Sequence, residues 1–131
     1  MDDGELFADR GNGYVYGWSR ANTTNTRDSN SALSLDQRYD TYIITQNPTG
    51  LKWEITLPNG LYTVRLVAGA ATGTGTMRYA AEGVSVVNGA QTTSTRWVAG
   101  TAVVTVSDGR LTITNGAGAV NNKLNFVEIF R

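Results

Sequence analysis

The sequence contains neither cysteine nor histidine. Their absence rules out disulfides, Cys/His zinc sites and any nucleophile activated by an imidazole, whether Ser-His-Asp or Cys-His. Charge of one sign is missing as well: eleven Lys and Arg balance eleven Asp and Glu. Nucleic-acid binders carry a clustered basic excess, so no nucleic-acid partner is expected. No stretch approaches the roughly 18 apolar residues that span a bilayer, which excludes membrane insertion by a helix. The opening Met1-Asp2-Asp3-Gly4-Glu5 lacks the basic and apolar stretches of a signal peptide, so the chain reads as a module cut from a longer protein. Proline occurs only twice, whereas glycine takes 15 positions.

What is present fits one domain, residues 1–131, with 40% apolar residues to fill a single core. Nearly every apolar stretch alternates with period two. Trp53, Ile55 and Leu57 are interleaved with Glu54 and Thr56, and Tyr62, Val64, Leu66 and Ala68 with Thr63 and Arg65. Alternation of this kind marks half-buried strands, and no capped helical stripe competes with it. Strands are expected near 40–45, 51–57, 61–69, 77–82, 84–87, 101–107, 110–115 and 123–130. Pro58-Asn59-Gly60 and Ser107-Asp108-Gly109 read as hairpin turns, Asn88-Gly89 as a weaker one, and residues 116–122 as the tip of the last hairpin. The fold class expected is all-β: an antiparallel β-sandwich, without βαβ alternation. Residues 19–38 are polar and long for a loop, which predicts a functional segment or one wrapped over the sandwich.

The closing segment Asn121-Asn122-Lys123-Leu124-Asn125-Phe126-Val127-Glu128-Ile129 resembles the last strand of galactose-binding-like jelly rolls. That superfamily includes malectin-like domains and carbohydrate-binding modules of families 6 and 35. Trp53-Glu54-Ile55 through Leu57-Pro58-Asn59-Gly60 to Tyr62-Thr63-Val64 is similar to a strand pair of these folds, and Arg96-Trp97 with Gly100-Thr101 to their aromatic-bearing loop and strand. Gly11–Trp18 and Arg38–Thr41 resemble segments of malectin-like domains. The resemblance implies a jelly roll that binds polysaccharide or oligosaccharide without catalysis. It also implies attachment to a larger enzyme or surface protein, and an extracellular location in a bacterium. It makes Trp97 the stacking residue, with hydrogen bonds from Arg96, Asn121, Asn122 and Lys123.

Stacking works because the apolar face of a sugar ring lies on a flat π-surface while polar neighbours hold its hydroxyls. Trp97 reads equally as an edge of the core. Tyr14, Tyr16 and Trp18, two apart, share one face if extended; they form either a sugar platform or a strand packing its aromatics inward. Asn121 and Asn122 are ligand contacts or turn formers. No carboxylate stands in an apolar context, so no catalytic residue is assigned. Glu54 and Glu128 are expected to face outward or to pair with Arg65 or Arg78. No cofactor is expected, calcium at Asp9, Asp28, Asp36 and Asp40 being the one open alternative, since its ligands are hard oxygens. Asp40 is expected to pair with Arg27 or Arg38 and pin the long loop. The same aspartates interleave with Arg10, Arg20, Arg27 and Arg38. Neutralised in this way, the arginines leave a neutral glycan as the expected ligand and an acidic one as the alternative. A structural or adhesion module without its own ligand is the competing reading.

Overall fold

The computed structural model describes residues 3–47 and 49–131. Strands β1 (Ala8–Asp9), β2 (Val15–Trp18), β5 (Lys52–Thr56), β10 (Arg110–Asn115), β7 (Gly75–Ala81) and β8 (Val84–Gln91) lie side by side in that order as a six-stranded sheet. Strands β3 (Thr26–Asp28), β4 (Thr41–Ile44), β11 (Lys123–Phe130), β6 (Gly60–Gly69) and β9 (Trp97–Val106) form a five-stranded one. Pairing within both sheets is antiparallel, and the architecture is the all-β sandwich that the alternation and the resemblance imply. A 3-10 turn (Thr23–Asn25) lies within the long polar segment and a short α-helix, α1 (Gln37–Asp40), ends it, with the Asp36 carboxylate accepting from the Arg38 N–H.

The core follows from the two-residue period. Tyr62, Val64, Leu66 and Ala68 on β6 face Trp53 on β5, Leu111 and Ile113 on β10, and Met77 and Tyr79 on β7, all buried. Fully burying a side chain of this size contributes about 1.5–3 kcal/mol, so these rows dominate the stability of the fold.

The turns behave differently from their sequence reading. Pro58-Asn59-Gly60 and Ser107-Asp108-Gly109 do not close hairpins; each carries the chain from one sheet to the other, as does the 116–122 segment. Alternation shows that a strand has one buried face but not which strand it pairs with, and successive strands here bury their faces against each other. The first two arches are tied together where Asn59 Oδ1 accepts the Gly109 N–H at 2.8 Å. Asn88-Gly89 lies inside β8, opposite Arg78 and Met77. The β7–β8 turn is instead Glu82-Gly83, with φ of 49° and 77°. That left-handed pair suits the twist of a tight hairpin.

The 19–38 segment wraps over the sandwich and contributes β3. Asp40 pins it, through serines rather than arginines: its Oδ1 accepts from the Ser31 N–H at 2.9 Å and the Ser34 hydroxyl at 2.7 Å. Those hydrogen bonds hold its carboxyl below the usual aspartate range. Arg27 donates to the Thr24 and Thr26 carbonyls, Arg10 to Leu6 and Tyr16, and Arg20 to Thr49. Backbone carbonyls rather than the interleaved aspartates are thus their partners; only Arg38 pairs with one of those aspartates, Asp36, among the described residues. Glu128 pairs with Arg65 at 2.8 Å as expected, and Glu54 with Arg110 rather than Arg78.

Candidate functional site

One end of the sandwich carries the 45–51, 70–74, 92–96 and 116–122 connections. Its organising element is the small-residue loop after β6. At Gly69 a Cβ would lie 2.1 Å from the Arg96 carbonyl oxygen, so glycine is what lets the start of β9 close against the end of β6. From the opposite sheet Gln91, the last residue of β8 and 1% exposed, reaches this loop. Its Nε2 donates to the carbonyls of Ala70 and Thr72, each at 3.0 Å, and its Oε1 accepts from Lys123 Nζ at 2.6 Å. Arg96 Nε donates to the Ala71 carbonyl at 3.1 Å, and Asn121, in a left-handed conformation with φ of 52°, donates Nδ2 to the Thr74 carbonyl at 3.4 Å.

Between these groups opens a shallow cavity of about 250 Å³, lined by Ile44, Gly73, Thr74, Asn121 and Lys123. Lys123 makes no ion pair among the described residues, and burial holds its ammonium below the ordinary lysine pKa. Of its three donors one goes to Gln91, leaving two for a ligand. The lining joins apolar Ile44 and Gly73 to the polar Thr74, Asn121 and Lys123 and contains no carboxylate.

Asn122 lies directly beneath and is 0% exposed. Its Oδ1 accepts from the Arg78 N–H at 3.0 Å, and its Nδ2 donates to the Arg78 carbonyl at 2.7 Å and to Asn115 Oδ1 at 2.8 Å. With the side chain consumed in joining the sheets, Asn122 has nothing to offer a ligand, and its reading as a contact is corrected. Thr45, Tyr79 and Asn115 extend the same buried network, Tyr79 O–H pairing with Thr45 Oγ1 at 2.6 Å and burial raising its pKa. A fully partnered network of this kind rigidifies the floor of the site.

Trp97 opens β9 half-buried and turns toward α1. Its indole N–H donates to the Tyr39 carbonyl at 3.0 Å, and its ring meets Tyr39 edge-on, centroids 5.7 Å apart. Tyr39 in turn stands edge-on to Phe126 at 5.2 Å, with Arg38 lying over Phe126 at 4.6 Å. Trp97 therefore ends an aromatic row beside the cavity and does not line it. The Tyr14–Trp18 platform does not form. Trp18 is 3% exposed in the core, Tyr16 packs on Trp53 at 6.0 Å beneath Arg10, and only Tyr14, 56% exposed, projects, at the opposite end.

The four aspartates do not gather into one site either, although the Asp28 and Asp40 carboxyls lie beside each other. Asp9 accepts from the Gly11 N–H, Asp28 from the Asn30 N–H and Gln37, Asp36 caps α1, and Asp40 holds the serines. No group of three or more acidic side chains placed to hold a metal ion occurs among the described residues.

Sequence reasoning missed Gln91, Ile44 and Thr74. Gln91 carried a signal: it lies four residues beyond buried Val87, on the inward side of the same alternation.

No family model and no curated protein matches the chain. Among solved structures, the protein YxiM from Bacillus subtilis superposes with a TM-score of 0.59 at 26% identity over 95% of this chain, which spans 33% of that one. A family 35 carbohydrate-binding module from Clostridium thermocellum gives a TM-score of 0.49 at 16% identity, covering 89% of this chain and 91% of the module. An exo-β-1,3-galactanase from Phanerochaete chrysosporium, solved with β-1,3-galactotriose, gives 0.42 at 14% identity, covering 88% and 32%.

Proposed function

We propose that this β-sandwich binds carbohydrate without cleaving it, at the loop-bearing end, as one extracellular module of a larger enzyme or surface protein. The observation that supports this is the convergence of Arg96, Asn121 and Lys123 on the 70–74 loop around a cavity of mixed polarity. A sugar presents hydroxyls at its rim and C–H groups on its faces. Lys123 and Asn121 meet the first, and Ile44 with Gly73 the second. Trp97, half-buried beside this cavity, offers the exposed part of its ring for stacking on a longer glycan.

Binding without cleavage is the reading that the lining of this cavity supports. Glycoside hydrolysis uses two carboxylates on either side of the scissile bond, and the cavity wall carries none. Gln91 preorganises the loop and the ammonium, which reduces the ordering cost of binding; the shallow shape still implies weak affinity.

A glycan array on the isolated domain tests the reading. Binding of one glycan class, lost on Lys123→Met or Asn121→Ala in a domain that remains folded, supports it. Failure of the folded domain to bind any glycan favours the structural module instead. The bonding of Trp97 to Tyr39 is what that second reading draws on, because it gives the tryptophan a packing role.

A further inference from the structure

Four asparagines of the chain precede a glycine: Asn12, Asn59, Asn88 and Asn115. Such a pair is reactive, because glycine has no side chain to keep its backbone nitrogen away from the asparagine Cγ. The fold treats the four pairs differently.

Three of them are held. Asn59 Oδ1 accepts the Gly109 N–H at 2.8 Å, and Gly60 begins β6 opposite Val106. Asn88 Oδ1 accepts from Arg78 Nε at 3.0 Å, and Gly89 lies inside β8 opposite Met77. Crowding is tight there, since a Cβ at Gly89 would come within 2.8 Å of Val98. Asn115 belongs to the buried network: its Oδ1 accepts from Thr45 and Asn122, and its Nδ2 donates to the Thr45 carbonyl. The nitrogen that would attack it is engaged as well, the Gly116 N–H donating to the Arg78 carbonyl at 2.7 Å. In all three pairs, closing a ring between side chain and backbone disrupts bonding that joins the strands.

Asn12 is different. It lies with Gly13 in the exposed 10–14 turn between β1 and β2. A Cβ at Gly11 or Gly13 would meet nothing within 4 Å, and the two glycines adopt left-handed φ of 73° and 89°. Among the described residues the Gly13 N–H has no acceptor and Asn12 Nδ2 no partner. The side chain's one bond comes from the Tyr14 N–H, which donates to Oδ1 at 3.1 Å. That bond favours attack at Cγ, because it polarises the amide carbonyl and faces the oxygen on which negative charge develops.

We propose that Asn12 is a covalent modification site, losing its side-chain amide to water through a ring closed by the Gly13 nitrogen. The Gly13 nitrogen gives its proton to hydroxide and bonds to Asn12 Cγ. The Cγ–Nδ2 bond then breaks, and Nδ2 takes a proton from water and leaves as ammonia. Water opens the resulting succinimide at either carbonyl, giving aspartate or isoaspartate at position 12. Each product adds one negative charge to a chain whose net charge is zero, and isoaspartate also adds a main-chain carbon to the turn. β1 pairs with β2 only through Ala8 with Tyr16 and Asp9 with Val15, so the extra atom falls where the sheet has little to hold its register.

The test is to age the domain in mildly alkaline buffer, folded and in parallel unfolded in urea. The four pairs are followed by peptide mass mapping and by labelling with an isoaspartyl methyltransferase. In the folded domain Asn12 converts at least about tenfold faster than Asn59, Asn88 or Asn115, and close to its own rate in urea. In urea the four rates come together. Ion exchange resolves an aged form one charge more acidic, and that form carries the modification at position 12. Asn12→Gln, whose longer side chain closes the ring poorly, loses both the acidic form and the methyl label. The proposal is overturned if another of the four pairs converts as fast as Asn12 in the folded domain. It is also overturned if folding slows Asn12 about tenfold or more relative to urea, or if Asn12→Gln keeps the label.

Discussion

Gln91 Oε1 accepts the Lys123 ammonium at 2.6 Å while the same amide donates to the Ala70 and Thr72 carbonyls. One buried side chain from the six-stranded sheet thereby fixes both the cation and the loop that wall the proposed sugar site. Replacing it by leucine strands three polar groups, each buried donor or acceptor so lost costing about 1–3 kcal/mol. We expect Gln91→Leu to lower stability by at least 2 kcal/mol in urea denaturation and to weaken glycan binding at least tenfold. Wild-type stability and affinity in this variant would show that the 70–74 loop holds its shape without Gln91.

Lys123 is half-buried, and desolvation lowers its pKa from the ordinary lysine value. As the donor in the proposed site is the ammonium, binding falls as pH rises through that lowered pKa, before an exposed lysine would titrate. The stability effect has the opposite sign. Between the folded and unfolded pKa values the unfolded chain binds more protons, so this residue makes stability rise with pH there. Lys123→Met removes the desolvated charge but leaves Gln91 Oε1 without its donor, so the two effects offset and little change in melting temperature is expected while binding is abolished. A titration of the Lys123 side-chain carbon shift by NMR checks the pKa; an ordinary value would remove the argument.

Asp40 is lowered by its hydrogen bonds to Ser31 and Ser34. The stabilisation is present above the unfolded pKa of about 3.9 and disappears as pH falls through the lower folded value. Asp40→Asn is therefore less stable than wild type at neutral pH, and the difference shrinks on acidification. Denaturant midpoints measured from pH 7 to pH 2 show this; a gap that stays constant with pH would mean that the carboxylate charge is not what holds the 29–40 segment.

The two tryptophans at Trp53 and Trp97 should separate in their cost. Trp53 is core, and its truncation to alanine costs about 3–5 kcal/mol. Trp97 is half-buried and bonded to the Tyr39 carbonyl, so Trp97→Ala costs less, about 1–3 kcal/mol, and loosens α1. Trp97→Phe, which loses the indole N–H, costs about 1 kcal/mol. Equal losses for Trp53→Ala and Trp97→Ala would make Trp97 a core residue and remove it from the proposed site.

Strands β1, β2 and β3 are too short to show a period. From β4 onward, strand positions and buried faces were legible because alternation records burial directly: Tyr62, Val64, Leu66 and Trp53 sit where their period places them. Sheet membership was not, since an Asn-Gly or Asp-Gly turn permits a sharp reversal without stating whether the next strand returns to the same sheet. At the site, Lys123 and Asn121 were found through the closing strand. Asn122 beside them was misread, because an asparagine in a turn gives no sign of whether its amide faces solvent or, as here, goes inward to Arg78 and Asn115. Gln91 escaped notice because the polar residues around it mask the alternation that places it inward, four residues beyond Val87.

The most direct test of the central claim is chemical-shift mapping of the glycan class selected on the array, titrated into the isotope-labelled domain. The account predicts the largest shifts at Gly73, Thr74, Gln91, Asn121 and Lys123, with smaller ones at Arg96 and Trp97. A titration in which a bound glycan leaves the 70–74 loop and Lys123 unmoved would contradict it.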